Sequence, residues 1–122
     1  MHNFASIFEI PATDLTRAVK FYSNIFTVTI EIIDIPEMTM ALFPYEGQST
    51  VGVIVQGEGC TPSSTGVTLY LNAGEDLQLV LSKVEENGGK ILAPKTPHAD
   101  ESGFFALFLD TEGNRLGLHS PK

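Results

Sequence analysis

The chain has 122 residues, with 7 lysines and arginines against 15 aspartates and glutamates, so its formal net charge is −8 at pH 7. This acidic surface repels phosphate, which argues against a nucleic-acid partner and against docking on anionic membranes. The length suits a single domain, and 43% hydrophobic with 18% charged residues is typical of a globular chain.

The first half of the chain predicts one strand, one helix and three further strands. Apolar residues at steps of three and four follow Thr13 and Asp14, either of which can cap the first turn of the helix. The strands are indicated by β-branched or alternating residues bounded by proline or glycine, at residues 6–10, 28–35, 38–43 and 51–55.

The second half repeats this plan after a linker rich in glycine, proline and serine at residues 57–65. A strand at 67–72 precedes a helix opened by Glu75 and Asp76 and closed by glycine, and strands follow at 90–93, 104–109 and 116–119. We predict one α+β domain over residues 1–122, with βαβββ modules at about 4–56 and 66–120. A helix would cover one face of each sheet, and the free faces would form a cup for a small molecule.

Two motifs resemble the vicinal oxygen chelate superfamily, which includes glyoxalase I, extradiol dioxygenases and bleomycin-resistance proteins. They read EIPATDLTRA with FY over residues 9–22, and DTEGNRLGLHS over residues 110–120. The resemblance implies two βαβββ modules forming a half-open barrel, and it implies a homodimer. Enzymes of the superfamily hold a divalent metal with His, Glu or Gln side chains, and the metal chelates two neighbouring oxygens of the substrate.

The resemblance places the metal-ligand positions of the superfamily at residues that bind metal poorly or not at all. These positions are Ile7, Thr68, Gly117 and, near the end of the first module, Val53. A divalent metal is therefore not favoured, and the cofactor is left unknown. Glu9 and His119 are weak alternative ligands, because two groups are fewer than the three that catalytic zinc sites normally use.

Three residues are candidates for chemistry, because alternation along a strand puts each on the face of a metal-ligand position two residues away: Glu9, Tyr70 and His119. In an enzyme, Glu9 would be the general base in a partly dry cup, His119 its proton partner and Tyr70 the group that orients the substrate. This set suits proton abstraction next to a carbonyl. The structural alternatives are an ion pair of Glu9 with Arg115 or a lysine, and a dimer contact at His119.

The residues predicted to line the ligand are Ile7, Thr68, Phe105 and Gly117. Thr68 could donate to a bound oxygen or only line the cavity. Phe105 lies in an aromatic strand with Phe104 and Phe108, where core packing is the usual role and stacking on a ligand is the alternative.

The loop with His98, Asp100 and Glu101 could attract a metal or cover the cup as a flap, although exposed acidic loops are usually only solvated. The single cysteine, Cys60, lacks an adjacent base, so a nucleophilic role is not expected. It cannot form an intramolecular disulfide, which fits a reducing cytoplasm. Residues 1–4 lack the pattern of a signal peptide, and no apolar run approaches 18 residues, so we predict a cytoplasmic protein.

The sequence predicts a glyoxalase-like protein, related to lactoylglutathione lyase, that acts on or binds a small carbonyl- or oxygen-rich molecule. As an enzyme it would be a lyase or isomerase, which the retained acid and histidine favour. The alternative is a non-catalytic protein that sequesters a drug or antibiotic, as bleomycin-resistance proteins do, and the replaced ligand positions favour it. A third reading is an accessory protein whose cup is a relic.

Overall fold

A computed structural model describes residues 4–47, 50–99 and 101–122. Residues 1–3, which belong to the expectation about a signal peptide, and Asp100 of the predicted flap lie outside these ranges. Within them, no helix combines the length and the apolar character needed to cross a bilayer.

Each half of the chain forms its own four-stranded sheet. The first half contains β1 (Ile7–Pro11), α1 (Leu15–Phe26), β2 (Glu31–Ile35), β3 (Met38–Leu42) and β4 (Val51–Gly57). The second half contains β5 (Tyr70–Asn72), α2 (Gln78–Leu81), a 3₁₀ turn (Glu85–Asn87), β6 (Lys90–Pro97), β7 (Phe104–Leu109) and β8 (Arg115–Ser120).

The two sheets have the same topology. Their strand orders are β1-β4-β3-β2 and β5-β8-β7-β6, and in each the first strand is parallel to the last while the other pairs are antiparallel. The predicted α+β class with a repeated βαβββ order is confirmed. The described strands form two open mixed sheets and no closed barrel.

Helix α1 forms where the apolar spacing predicts it. Asp14 is the N-cap, and its side chain accepts a hydrogen bond from the backbone N–H of Arg17. Thr27 ends the helix in the left-handed conformation. Its apolar stripe is buried, and the Phe21 ring lies 6.0 Å from that of Phe108 in the other half. The helix therefore packs across the boundary between the two halves.

The second helix is shorter than predicted. The expected single helix opening at Glu75 and Asp76 becomes the four residues of α2 and a separate 3₁₀ turn. The Asp76 carboxylate accepts from the N–H of Gln78, and the N–H of Leu77 donates to the Ser120 hydroxyl, so these donors are satisfied outside a regular helix. The predicted strand at 67–72 likewise shortens to β5.

The two faces of each sheet are covered differently. In the second sheet Leu71, Leu118 and Phe108 belong to one core cluster that also includes Ile10 and Ile54 of the first sheet. The residues between them along each strand point the other way. We call the face of each sheet opposite this core the open face.

Candidate functional site

A buried aspartate in the turn between β7 and β8 joins the two halves of the chain. Asp110 accepts from the Tyr22 hydroxyl at 2.7 Å, from the Asn114 side chain at 3.0 Å, and from the backbone N–H groups of Glu112 and Asn114 at 2.8 and 2.9 Å. Asn114 also donates to the carbonyl of Pro11 at 2.7 Å. Burial, reinforced by the charge of Asp110, raises the pKa of Tyr22 well above its ordinary value, so this hydroxyl remains a donor.

A second acid of the same turn binds the beginning of α1. Glu112 accepts from the N–H groups of Thr13 and Asp14, both at 2.9 Å, and from Arg17 Nε at 2.7 Å. Burial alone would raise the pKa of Glu112, but the hydrogen bond from Arg17 and those from Asp14, Thr111 and Thr13 outweigh it and hold the pKa at about 2. The Glu112 side chain is fully covered and remains ionised.

We call Arg17, Tyr22, Asp110, Glu112 and Asn114 the polar interlock. These residues come from the two motifs on which the family resemblance rests. Their hydrogen-bonding groups are directed at one another and at backbone groups, so the interlock has a structural role. These five motif residues therefore report how the halves are held together and not what the protein binds.

Aromatic rings cover the open face of the second sheet. The Tyr70 ring lies against Gly117, where a β-carbon would overlap it. Centroid distances of 6.2 Å from Tyr70 to Phe105, 5.8 Å from Phe105 to His98 and 6.5 Å from His98 to His119 connect four rings in edge-to-face contacts. We call these four residues the ring row. The structure thus brings together Tyr70, His119, Phe105 and Gly117 of the predicted site.

The neighbouring residues of the aromatic strand differ in role. Phe108 is fully buried, and Phe104 packs against the core with the Lys95 ammonium 4.7 Å from its ring centroid. Phe105 alternates with them and lies on the open face opposite His119. Core packing therefore accounts for two of the three phenylalanines, and Phe105 is the one placed for ligand contact.

Thr68 has a structural partner. Its hydroxyl accepts a hydrogen bond from Arg115 Nη2 at 2.7 Å, and the same nitrogen lies 3.2 Å from the carbonyl of Gly66. Arg115 thereby fastens the segment before β5 to the beginning of β8. The Thr68 hydroxyl still has a proton to donate, but its position is fixed by the guanidinium.

Glu9 and Ile7 lie on β1, and both side chains are exposed, so Glu9 is not in the partly dry environment that was expected. Glu9 lines a groove of about 170 Å³ that Arg115 also lines, whereas His119 and Tyr70 are not part of that groove. No ion pair joins Glu9 to Arg115 among the described residues. The common site for Glu9 and His119 stays a prediction.

A larger groove runs along the seam where β1 and β5, the edge strands of the two sheets, face each other. Its volume is about 680 Å³. The polar residues Tyr70 and Asn72 lie on its β5 side. Its apolar walls consist mainly of Phe8, Phe26, Val28, Phe43, Leu69 and Leu71. We call it the seam groove.

The sequence did not reveal the seam groove. Its walls come from segments far apart in the chain, and the alternation pattern assigned Phe8 and Leu71 to the helix-covered side without showing that the sheets leave a gap there. One local signal was available. The Phe8 ring lies against Gly52, so a glycine inside a β-branched strand marked a close ring contact.

The residues at the positions where the resemblance implies metal ligands do not fit a metal ion. Ile7, Val53 and Gly117 have no donor atoms in their side chains, and the Thr68 hydroxyl is bound by Arg115. The Tyr70 ring covers Gly117, so the space of a ligand side chain is filled. Within the described ranges, no three His, Cys, Asp or Glu residues are grouped so that they could hold a metal.

Backbone hydrogen bonds connect the described residues of the loop after β6. The N–H of His98 donates to the carbonyl of Gly103 at 2.8 Å, and that of Glu101 donates to the carbonyl of His98 at 3.0 Å. Glu101 adopts a positive φ of 63°. Whether this loop moves as a flap stays a prediction. Cys60 is a partly buried free cysteine.

Comparison with known proteins relates nearly the whole chain to one superfamily. The profile of the Glyoxalase/Bleomycin resistance protein/Dioxygenase superfamily matches residues 4–118. A glyoxylase-like domain-containing protein of Didymella fabae is 35% identical over an alignment of 119 residues that covers 93% of this chain and 91% of that protein.

Two solved structures show the same fold. Glyoxalase I of Zea mays matches with a TM-score of 0.71 and 24% identity over 95% of this chain, but the chain spans only 45% of that protein. TnmS3, an antibiotic-binding protein of a Streptomyces species, matches with a TM-score of 0.72 and 21% identity over 98% of this chain and 97% of its own.

Proposed function

The chain belongs to the Glyoxalase/Bleomycin resistance protein/Dioxygenase superfamily, and we propose that within it this protein binds a small oxygen-bearing molecule without a metal ion. The position of Tyr70 carries the proposal. Its ring lies against Gly117, at a metal-ligand position of the superfamily, and the same residue lines the seam groove. Tyr70 therefore links the position where the resemblance implies a metal ligand to the cavity proposed for the ligand.

The seam groove supplies both kinds of contact that such a ligand needs. Its volume of about 680 Å³ falls within the roughly 300–1,000 Å³ of small-molecule pockets. Phenylalanine and leucine side chains would pack on the carbon skeleton. The Tyr70 hydroxyl and the Asn72 Nδ2 group have no partner among the described residues, so both could donate to a carbonyl oxygen of the ligand.

The antibiotic-binding relative supports sequestration as the biological use of this groove. TnmS3 has this fold over nearly its whole length, and it is described as an antibiotic-binding protein. A binding protein needs apolar walls and a few directed donors, and the described residues of the seam groove provide both. It needs no activated nucleophile or metal.

The test uses prodan, a neutral naphthyl ketone whose fluorescence shifts to the blue in apolar surroundings. We expect one prodan per chain, with the same affinity in EDTA as in added zinc. Tyr70→Ala should weaken binding roughly tenfold through loss of the ring contact and the hydroxyl. Leu79→Ala, at an exposed leucine of α2 outside the groove, is the matched control. Binding that requires zinc, or that is equal in both variants, would contradict the proposal.

A second candidate function is proton transfer by Glu9 and His119. His119 Nε2 lies 3.1 Å from the carbonyl oxygen of Ser102, which can only accept, so the neutral imidazole carries its proton on Nε2. Glu9 would take a proton from carbon, and the free lone pair on Nδ1 of His119 would accept that proton before solvent returns one. Mass spectrometry should show deuterium entering the carbon next to the carbonyl of acetone in D₂O, and Glu9→Gln and His119→Ala should each abolish this exchange. Exchange no faster than without protein would reject this function.

A homodimer in the cytoplasm remains part of the proposal. Ile7 and Ile35 alternate with the core residues of the first sheet and are 63% and 44% exposed, which supports contact with a second copy. Light scattering on the purified protein measures this directly. A mass of one chain at micromolar concentration would reject the dimer without affecting the proposed ligand.

A further inference from the structure

A second groove is lined by charged side chains, which the seam groove lacks among its described residues. It measures about 170 Å³ and lies where β1 faces the segment before β5 and the beginning of β8. Glu9 and Arg115 line it, together with three hydroxyl side chains from the predicted linker: Thr61, Ser63 and Thr65. We infer that this groove binds a small zwitterion of the amino-acid class, with Glu9 holding the ammonium group and Arg115 the carboxylate.

Arg115 is fixed but not saturated. Nη2 donates to Thr68 Oγ1 and the carbonyl of Gly66, which holds the guanidinium in place. Nε is buried and has no hydrogen-bond partner, and Nη1 has none among the described residues. Nε is buried and Nη2 is already used, so Nη1, with two N–H groups on an always charged guanidinium, is the donor that a ligand carboxylate could reach.

Glu9 supplies the opposite charge in the same groove. The ion pairs of the described residues join Arg17 to Glu112, Lys95 to Asp76 and Lys122 to Glu75, so Glu9 and Arg115 use their charges on no protein partner. Opposite charges that line one groove without pairing are complementary to a ligand with both charges.

The size of the groove and the net charge of the protein narrow the class of ligand further. The groove, of about 170 Å³, is much smaller than the seam groove and suits a ligand as small as alanine. A free anion would be repelled by the net charge of −8, whereas a zwitterion has no net charge. A simple cation could pair with Glu9 but would leave Arg115 without a partner. The zwitterion satisfies all three conditions.

The experiment compares three molecules of six heavy atoms each by NMR titration of the ¹⁵N-labelled protein: L-alanine, L-lactate with a hydroxyl in place of the ammonium, and L-alaninamide without the carboxylate. We expect L-alanine to shift amides near Glu9 and Arg115 and to bind roughly tenfold more tightly than either of the other two. Equal affinities for the three, or no shifts with L-alanine up to its solubility limit, would overturn the inference.

Variants assign the two charges separately. Glu9→Gln should remove the preference for L-alanine over L-lactate, and Arg115→Gln should remove the preference for L-alanine over L-alaninamide. Thr68→Val removes a bond that fixes Arg115 but keeps both charges, so it should preserve the order of affinities. If Arg115→Gln does not fold, Arg115→Lys keeps the positive charge and can be measured in its place. Glu9→Gln changes an exposed side chain, so its effect on the preference for L-alanine tests the inference in either case. Prodan binding measures the seam groove independently, so failure of one proposal does not imply failure of the other.

Discussion

The polar interlock and the seam groove both lie between the two halves of the chain, yet they are built in opposite ways. In the interlock, Asp110 alone accepts four hydrogen bonds, and the Glu112 side chain has no solvent exposure. In the seam groove, apolar side chains of both halves line an open volume of about 680 Å³. At the boundary between the halves, the polar interlock therefore fixes how they are joined, while the seam groove leaves room for a ligand.

This division of roles explains why the family resemblance predicts architecture better than chemistry. The motif residues are constrained by buried polar groups that must all be paired. The groove residues need only be apolar and of suitable size, so they can change with the ligand. Substitutions in the first region should therefore affect stability, and substitutions in the second should affect binding.

The largest effect is expected for Asp110→Ala. It leaves the buried Tyr22 hydroxyl, the Asn114 amide and two backbone N–H groups without their acceptor, so the free energy of unfolding should fall by about 3 kcal/mol or more. Urea denaturation measures this loss. Tyr22→Phe, which removes one donor and leaves the others paired, is the control and should cost about 1 kcal/mol. Equal losses in the two variants would mean that Asp110 is not the centre of the interlock.

Gly117→Ala tests the contact that fills the metal position. The added β-carbon overlaps the Tyr70 ring, which must move, so we expect a loss of about 1–3 kcal/mol in unfolding free energy and weaker prodan binding. The double variant Gly117→Ala with Tyr70→Ala removes the overlap. The double variant should therefore lose less unfolding free energy than the sum of the losses of the two single variants. Strict additivity would show that the ring does not depend on Gly117.

Acid should weaken the interlock through Glu112. Its pKa is lowered from 4.5 to about 2 in the folded protein, so its ionised form stabilises the fold above pH 4.5, and this contribution is lost as the pH falls towards 2. Glu112→Gln should therefore lower stability at neutral pH and flatten the dependence on pH in this window. Chemical denaturation between pH 2 and 6 measures both, and Glu86→Gln, at an exposed glutamate, should keep the acid dependence of the parent.

The smallest effect on stability is expected for Tyr70→Phe. This change keeps the ring on Gly117 and removes only an exposed hydroxyl without a protein partner, so unfolding should change by less than about 0.5 kcal/mol. Prodan affinity should nevertheless fall several-fold, because one donor to its carbonyl is lost. A loss of stability with unchanged affinity would place Tyr70 with the interlock rather than with the groove.

Strand alternation and helical spacing accounted for the architecture. They predicted α1, the repeated strand order and the separation of core residues such as Leu71 and Leu118 from open-face residues such as Tyr70 and His119. The shortened α2 was not predicted, because it depends on Asp76 and on the contact of Leu77 with Ser120, which lies more than forty residues further along the chain.

The two grooves could not be predicted from the sequence, because they depend on the angle between the sheets. No local sequence pattern contains that angle. Phe8, Phe43 and Leu69 can be identified as groove residues only when the relative position of the edge strands β1 and β5 is known. Residues 57–65, predicted as a linker, form part of the wall beside Glu9. The alternation of β8 places Arg115 on the face of Gly117 and His119, but its unsatisfied guanidinium becomes apparent only from its surroundings.

The free edges of β1 and β5 have a consequence for how this architecture acquires new ligands. Their peptide groups are not hydrogen-bonded to each other anywhere in the described ranges, so widening or narrowing the gap sacrifices no backbone pairing. A continuous barrel of similar size would have to break its ladder to admit a bulkier guest. Here, side-chain replacements along two strand margins are enough to alter the breadth of the cavity while the scaffold stays intact.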